Sequence, residues 1–549
     1  MMRIITLYSF CVLCIAAAAC STISGFDKQD LDFSTLGEVL EENLLTCSDD
    51  CDCTIMGPCN VCDRITNYCM LADDADRDGD GFLNMDCSIS AVCGAERGIP
   101  EEYWPRQGDD CKDDNPDINP GMIDECNGVD DNCNGLKDED ENTFGLAFTK
   151  TIAKGYHFSI CPSSDISIAA WDNAPETETV TSGFTDSTGT LLNSVVLSET
   201  GFGPAVHCFP GQGAAVAWSD RSAGNTDIML RKVTSLGEPA GDAVHFPDDT
   251  LESRDPVIAY LEDLYMIGVA WLTHDRPVID GPKIGKVELQ VFDFFTLEPI
   301  LEERIDLTPE TFIIPGIPVD NPAYWVEKLS IETHDFGGEK GFALVWNQDD
   351  GIHFASLQCY REMDTTRTCD VTANTALGRE TSGAQYPAFV WADGRYYLSY
   401  AVFRTDIPNI PVLKMGAIEH DGSGWALKEL FFDSDAIEFE REATFPALEW
   451  VGDDFEELVL GWADSREFGK RRIRFARLMV DLEQGLLRLV TTSVIDVSDA
   501  ENFAGAPQVA FKDSGASTGF VLGWTERDAD NATGQVDIQT GVIRCLQLH

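Results

Sequence analysis

The chain has 549 residues, with 38 Lys and Arg against 95 Asp and Glu, so its formal charge is −57 at neutral pH. A surface this negative repels phosphate backbones, which excludes nucleic acid as a partner and makes cations the natural ones. At 44% hydrophobic residues the chain can still bury large cores, so global disorder is excluded too, and the length predicts two to four domains.

The N-terminus reads as a targeting segment. Arg3 precedes an apolar stretch, Ile4 to Ala19, that closes in small residues and is too short to span a bilayer. The segment Ala17-Ala18-Ala19-Cys20 resembles the lipobox of bacterial lipoproteins, although Ala17 stands where Leu is commonest. The resemblance implies a signal peptide over 1–19 and lipidation of Cys20, hence an exported chain anchored at the outer membrane or cell surface. An ordinary signal-peptidase site would cut the same bond without lipid. Residues 20–46 are polar and acidic and read as a tether, with one short amphipathic stretch, Leu36 to Leu45.

From 47 to 142 the composition shifts to Asp, Cys, Gly, Asn and Pro, without a single His. Such a segment lacks the apolar mass for a core and needs covalent or metal staples. Two loops in it carry oxygen ligands at alternate positions, the pattern of a calcium-binding turn. In the segment Asp130 to Glu141, Asp130, Asn132 and Asn134 fill positions one, three and five. Leu136 offers its carbonyl, Asp138 the ninth position and Glu141 a bidentate carboxylate. Pro120-Gly121 and the nearby cysteines argue against the helices that flank such a loop in an EF-hand. In the segment Asp76 to Cys87, Asp76, Asp78 and Asp80 fill the odd positions, Gly81 the turn, Phe82 the carbonyl and Asn84 the ninth position. Cys87 occupies the twelfth, so Asp86, one place earlier, is the expected substitute, as in the thrombospondin type 3 repeats this stretch resembles. Asp74 permits a shifted register. A solvated acidic linker is the plain alternative, and carboxylate repulsion in a tight turn counts against it.

The run Asp110-Cys111-Lys112-Asp113-Asp114, with Pro120-Gly121 and Asp124-Glu125-Cys126-Asn127-Gly128-Val129-Asp130-Asp131-Asn132-Cys133-Asn134-Gly135 through Asp138-Glu139, resembles the MopE-type metal-binding motif. With the loop from Asp74 onward the resemblance covers about 70 residues. It implies an exported or surface protein of the kind found in myxobacteria and other deltaproteobacteria. Lys112 departs where the family usually has Asp, and Asp124 where it often has Glu. The family name is associated with copper, but hard carboxylates without clustered His or Met prefer calcium, so calcium is the expected cofactor and copper the second.

Sixteen cysteines follow Cys20. Six (Cys47 to Cys69) suit local bridges, five lie between Cys87 and Cys133, and five lie beyond, of which Cys359 and Cys369 could staple a hairpin. The two odd sets leave room for a bridge between the acidic module and the region that follows.

From 143 to 549 the chain reads as short apolar strands between Gly- and Asp-containing turns. Seven segments share a strand closing on an aromatic residue: Trp171, Trp218, Trp271, Trp346, Tyr400, Trp462 and Trp524. Their spacing is near that of a four-stranded propeller blade. The unit Ala217-Trp218-Ser219-Asp220-Arg221 looks like a repeat common in exported bacterial propeller proteins. The expected fold class is therefore mainly β: a seven-bladed β-propeller preceded by a small disulfide-rich, calcium-loop module with little regular secondary structure. A string of β-sandwiches is the alternative. The elbow-like Gly515-Ala516-Ser517-Thr518-Gly519 sits in a polar turn and is read as coincidence, and the eight histidines are scattered singly.

Three functions compete. The first is a surface lipoprotein, membrane-held through Cys20, whose calcium-stabilised module carries a propeller that presents a binding face to a protein or glycan. The second is a secreted hydrolase or lyase working in the central pocket; carboxylates and arginines clustered there would favour it. The third is a copper-scavenging protein.

Overall fold

The computed structural model describes residues 144–545, apart from segments of which 275–283, 314–328, 404–410, 433–442 and 528–535 are the longest. N-terminal to these it describes 47–48, 52–53, 60–63, 65, 67–71, 76–80, 82–85, 110–122 and 129–133. The chain divides into two compact units, Met1–Met122 with Asp131–Asn134, and Ile123–Asp130 with Gly135–His549. Among the described residues there is no α-helix.

The smaller unit has a core of sulfur. Its hairpin pairs β1 (Asn60–Asp63) with β2 (Tyr68–Leu71), Cys62 opposite Cys69, and Asn67 takes the left-handed conformation the turn requires. Disulfides Cys47–Cys62 and Cys53–Cys69 lock the hairpin to the chain before it, and these four cysteines are its buried cluster. With so few branched aliphatics, cross-links replace the missing apolar area.

The larger unit is mainly β and propeller-like, built from antiparallel meanders in sequence order. β3 (Phe144–Lys154) is followed by the four-stranded sheet β4 (Phe158–Ser163), β5 (Ile166–Asp172), β6 (Val180–Thr185) and β7 (Leu191–Ser198). The next sheet is β8 (Gly201–Phe209), β9 (Gly213–Asp220), β10 (Asp227–Val233) and β11 (Val244–Phe246). β12 (Glu252–Leu261), β13 (Met266–His274), β14 (Ile284–Asp293) and β15 (Ile305–Asp306) follow, with β16 (Phe312–Ile313) also on β14. Then come β17 (Leu329–Phe336), β18 (Glu339–Gln348), β19 (Gly351–Arg361) and β20 (Arg367–Ala376). The rest forms one 13-stranded sheet: β21 (Ala384–Ala392), β22 (Arg395–Phe403), β23 (Pro411–His420), β24 (Trp425–Phe432), β25 (Ala443–Val451), β26 (Glu457–Glu467), β27 (Lys470–Asp481), β28 (Leu486–Leu489), β29 (Ile495–Asp496), β30 (Phe503–Lys512), β31 (Gly519–Arg527), β32 (Asp537–Cys545) and β3. The chain closes on itself, because β3 pairs antiparallel with β32, Phe144 opposite Cys545 and Lys154 opposite Asp537. The pairing covers the edge of β32 that would otherwise stand open.

The seven repeated aromatic residues all lie on the second strand of a meander, and each is 4% exposed or less, so the repeat reads out packing. Small residues beside them admit a neighbouring sheet: a Cβ on Gly268 would lie 2.8 Å from the Phe342 ring, and one on Gly523 only 2.3 Å from that of Phe158. Apolar clusters join successive meanders in this way, for example Trp271 and Phe292 with Ile228 and Phe209. Two disulfides add to the packing. Cys161–Cys208 links β4 to β8, and Cys359–Cys369 bridges directly opposed residues of β19 and β20, the expected hairpin staple.

Candidate functional site

The tight turn from Asp76 to Phe82 is held by its own aspartates. Gly79 N–H donates to Asp76 Oδ1 at 2.8 Å, Asp80 N–H to Asp78 Oδ1 at 3.3 Å, and Phe82 N–H to Asp80 Oδ1 at 2.8 Å. Gly79 has φ +82°, so the described left-handed residue is the fourth of the loop; Gly81 lies outside the described residues. With one oxygen of each carboxylate fixed on the backbone, the three side chains are drawn together. Asp76, Asp78 and Asp80 each offer an oxygen, all within 4.8 Å of one another, and Asp78 Oδ2 and Asp80 Oδ2 are buried without a hydrogen-bond partner. Buried carboxylate oxygens lacking donors are costly unless a cation fills the gap, so the donor set fits a metal ion. Cys47, Cys53 and Cys69 also lie close together, but their sulfurs are spent in disulfides.

A second stretch docks on this turn. Asp110 N–H donates to Leu83 O at 2.9 Å and Met85 N–H to Asp110 O at 2.7 Å, forming a bridge between Asn84 and Asp110. Asp113 accepts from Arg77 N–H at 3.0 Å and from Asn84 Nδ2 at 2.9 Å. Burial, with the charges of Asp80, Asp78 and Asp113 adding to it, pushes the Asp110 carboxyl above the usual carboxylate range, although the Lys112 N–H opposes the rise. The Phe82 ring lies over Gly121, where a Cβ would come within 3.0 Å of it, which accounts for the glycine of Pro120-Gly121. Disulfide Cys111–Cys133 ties Asp110's neighbour to the start of the second loop.

Of the residues expected to bind metal, Asp76, Asp78, Asp80, Phe82 and Asn84 are thus in one turn, with the Asn84 amide turned to Asp113. Asp130 and Asn132 are described and part-buried. Asp86, Asn134, Leu136, Asp138 and Glu141, and Cys20 with the whole N-terminal segment, lie outside the described residues. The sequence reading passed over Asp110 and Asp113, although they open the motif that it recognised.

The larger unit holds a half-open cavity of about 270 Å³ lined by the first strands of the meanders, β4, β8, β12, β17, β21, β25 and β30. Five of these strands bulge at one place, at Pro204, Pro256, Pro387, Pro446 and Pro507. Before the first four prolines Gly203, Asp255, Tyr386 and Phe445 have φ between 52° and 59°. The recurring proline, 13 to 17 residues before the buried aromatic, is a sequence signal for the cavity wall. The lining carries the carboxylates of Asp255 and Glu332 and the imidazole of His157, with no Lys or Arg among the described residues. His157 Nδ1–H donates to Asp172 Oδ2 at 2.8 Å, and Gly203 N–H donates to the same oxygen at 2.6 Å. Burial pushes the Asp172 carboxyl up, but His157 and these N–H groups outweigh it and hold it below the usual range. Gln508 joins β30 to β4 across the closure, accepting from Ile160 N–H and donating to Phe158 O.

A family model of the MopE copper-binding type, described as "Putative metal-binding motif", matches residues 110–139. No curated protein matches the chain. Among solved structures the chain is similar to the parainfluenza virus 5 hemagglutinin-neuraminidase ectodomain, at 7% identity and a TM-score of 0.38, over 74% of this chain and 85% of that one. It is similar to the phage phi92 endosialidase at 12% identity and a TM-score of 0.37, over 74% and 70% of the two chains. A thermostable family-43 glycoside hydrolase gives 13% identity and a TM-score of 0.32, over 62% and 96%.

Proposed function

We propose that this is an exported surface lipoprotein, held at a membrane by a lipid on Cys20, in which a calcium-stabilised acidic module precedes a seven-bladed β-propeller that serves as a binding platform. The observation that carries the metal reading is the convergence of the Asp76, Asp78 and Asp80 carboxylates, with Asp78 Oδ2 and Asp80 Oδ2 buried and unpartnered. Their all-oxygen chemistry favours calcium over copper, and a bound ion would supply charge neutralisation and cross-linking. The blade count is supported by the weakness of two parallel contacts in the 13-stranded sheet. Phe431 and Phe432 meet Leu486 and Leu487, and Arg471 meets Phe503. Divided there, the sheet gives three meanders beside the four separate ones, and β3 supplies the outer strand of the last.

A calcium titration of the full chain tests the reading. Calcium at 100 times its Kd should stabilise the acidic module by about 2.7 kcal/mol and protect residues 76–84 from proteolysis, with reversal by chelator and no equal gain from copper. No stabilisation at millimolar calcium would defeat the metal reading. Palmitate incorporation lost in Cys20→Ala tests the anchor in the same preparation.

The cavity selects a ligand by charge. With Asp255 and Glu332 on its wall and no Lys or Arg among the described lining residues, it suits a neutral glycan and disfavours an anionic one. One observation favours a hydrolase working there instead: His157, oriented by Asp172, shares that wall with Glu332. Neutral oligosaccharides should bind without turnover if the propeller is a platform. Release of reducing ends that disappears in His157→Ala would replace that reading with the hydrolase.

A further inference from the structure

We propose that Asp110 is a ligand of the ion held by Asp76, Asp78 and Asp80, so that one divalent cation clamps two stretches of chain whose nearest ligands are 30 positions apart. This rests on the calcium reading above and adds to it a ligand that no local loop pattern contains.

Asp110 is 1% exposed, and its Oδ2 has no hydrogen-bond partner. Its other oxygen accepts from Lys112 N–H at 2.7 Å, and its backbone is bonded on both sides to Leu83 and Met85, so the side chain is fixed against the turn. The charges that act on it most strongly are Asp80, Asp78 and Asp113, all of its own sign. The Lys112 ammonium, 3.8 Å from Asp114, is solvent-exposed and does not neutralise it. A buried carboxylate with one oxygen orphaned among three others is stable only with a cation among them or with a proton. Asp78 Oδ2, Asp80 Oδ2 and Asp110 Oδ2 are all buried without a hydrogen-bond partner, and the bridge between Asn84 and Asp110 brings the two stretches side by side, so that a cation would draw ligands from both. Asp113, with both oxygens taken by Arg77 N–H and Asn84 Nδ2, is a positioning residue. The Cys111–Cys133 disulfide, with Cys111 N–H donating to Cys133 Sγ at 3.0 Å, holds the second stretch in register.

The test is calcium binding by the full-length oxidised chain carrying Glu141→Gln to silence the second loop. In that background Asp80→Asn should abolish binding at the first site, and Asp110→Asn should weaken it at least 10-fold. The melting temperature gives a second readout that a merely structural role would not produce. Removing one of four crowded carboxylates should raise the melting temperature without calcium and lower it with calcium, whereas a structural aspartate would destabilise both states. Asp110→Glu, with unchanged cysteine pairing, covers the case in which the asparagine variant does not fold; it too should weaken binding. Unchanged affinity in the Asp110 variants, with Asp80→Asn inactive, overturns this inference and leaves the calcium loop standing. No calcium binding by the parent chain overturns the loop reading itself.

Discussion

Glu457→Ala should cost the propeller about 3–5 kcal/mol, the usual penalty for breaking a buried ion pair on one side. Arg477 and Glu457 are 2% and 3% exposed, on adjacent strands β27 and β26. The guanidinium meets the carboxylate in two parallel bonds, Nε to Oε2 at 2.7 Å and Nη2 to Oε1 at 2.9 Å. On the same face Val451 stands opposite Glu457 and Val459 opposite Arg477, with Phe475 in the same apolar cluster, so water cannot replace the lost carboxylate. Most of the penalty comes from a buried arginine that loses its two-bond carboxylate partner. Glu457→Ala combined with Arg477→Met should therefore be less destabilising than Glu457→Ala alone, a coupling that a double-mutant cycle measures. Urea unfolding followed by tryptophan fluorescence reads the loss, and a change below about 1 kcal/mol would show that the pair is not desolvated as its geometry indicates.

Packing and chemistry were legible in this sequence to different degrees, for a physical reason. Burying a tryptophan is so favourable that the position recurs in meander after meander, and the second-strand aromatics could be read from spacing alone. The odd-position aspartates of the first loop were equally visible, because a turn fixes the relation between neighbours. Asp110 was not, since its approach to Asp80 depends on backbone bonds to Leu83 and Met85 that no local spacing encodes. The pairing of β3 with β32 was hidden in the same way: it joins residues nearly 400 positions apart, and nothing in the strand of Phe144 names its partner. The cavity wall lies between these cases. Its prolines recur at a readable interval, but the left-handed Tyr386 and Phe445 before two of them are chosen by the bulge and not by residue type, since bulky side chains are poor candidates for positive φ.

Raising the pH from about 6.5 to about 8.5 at saturating calcium should destabilise the propeller by roughly 2–3 kcal/mol. Glu332 and Glu449 lie on the first strands β17 and β25, part-buried, and neither has an ion-pair partner among the described residues. Burial pushes Glu332 up to about 7, and burial with the added charge of Glu332 pushes Glu449 up to about 8. Both folded values stand above the 4.5 of an unperturbed glutamate. The folded state therefore keeps protons that the unfolded chain has released. Stability from this source is complete below about 4.5 and is lost as pH rises through about 7 and 8, at about 1.4 kcal/mol per pH unit for each group in its window. His207 on β8 works in the opposite sense, because burial lowers it to about 4 and it costs stability only as pH falls below its ordinary 6.5. It is silent above neutrality, so the alkaline loss belongs to the two glutamates. Glu332→Gln with Glu449→Gln should flatten the profile above pH 6.5, as measured by the urea midpoint. An unchanged slope in the double variant would mean that solvent reaches both carboxylates and that they ionise near their ordinary values.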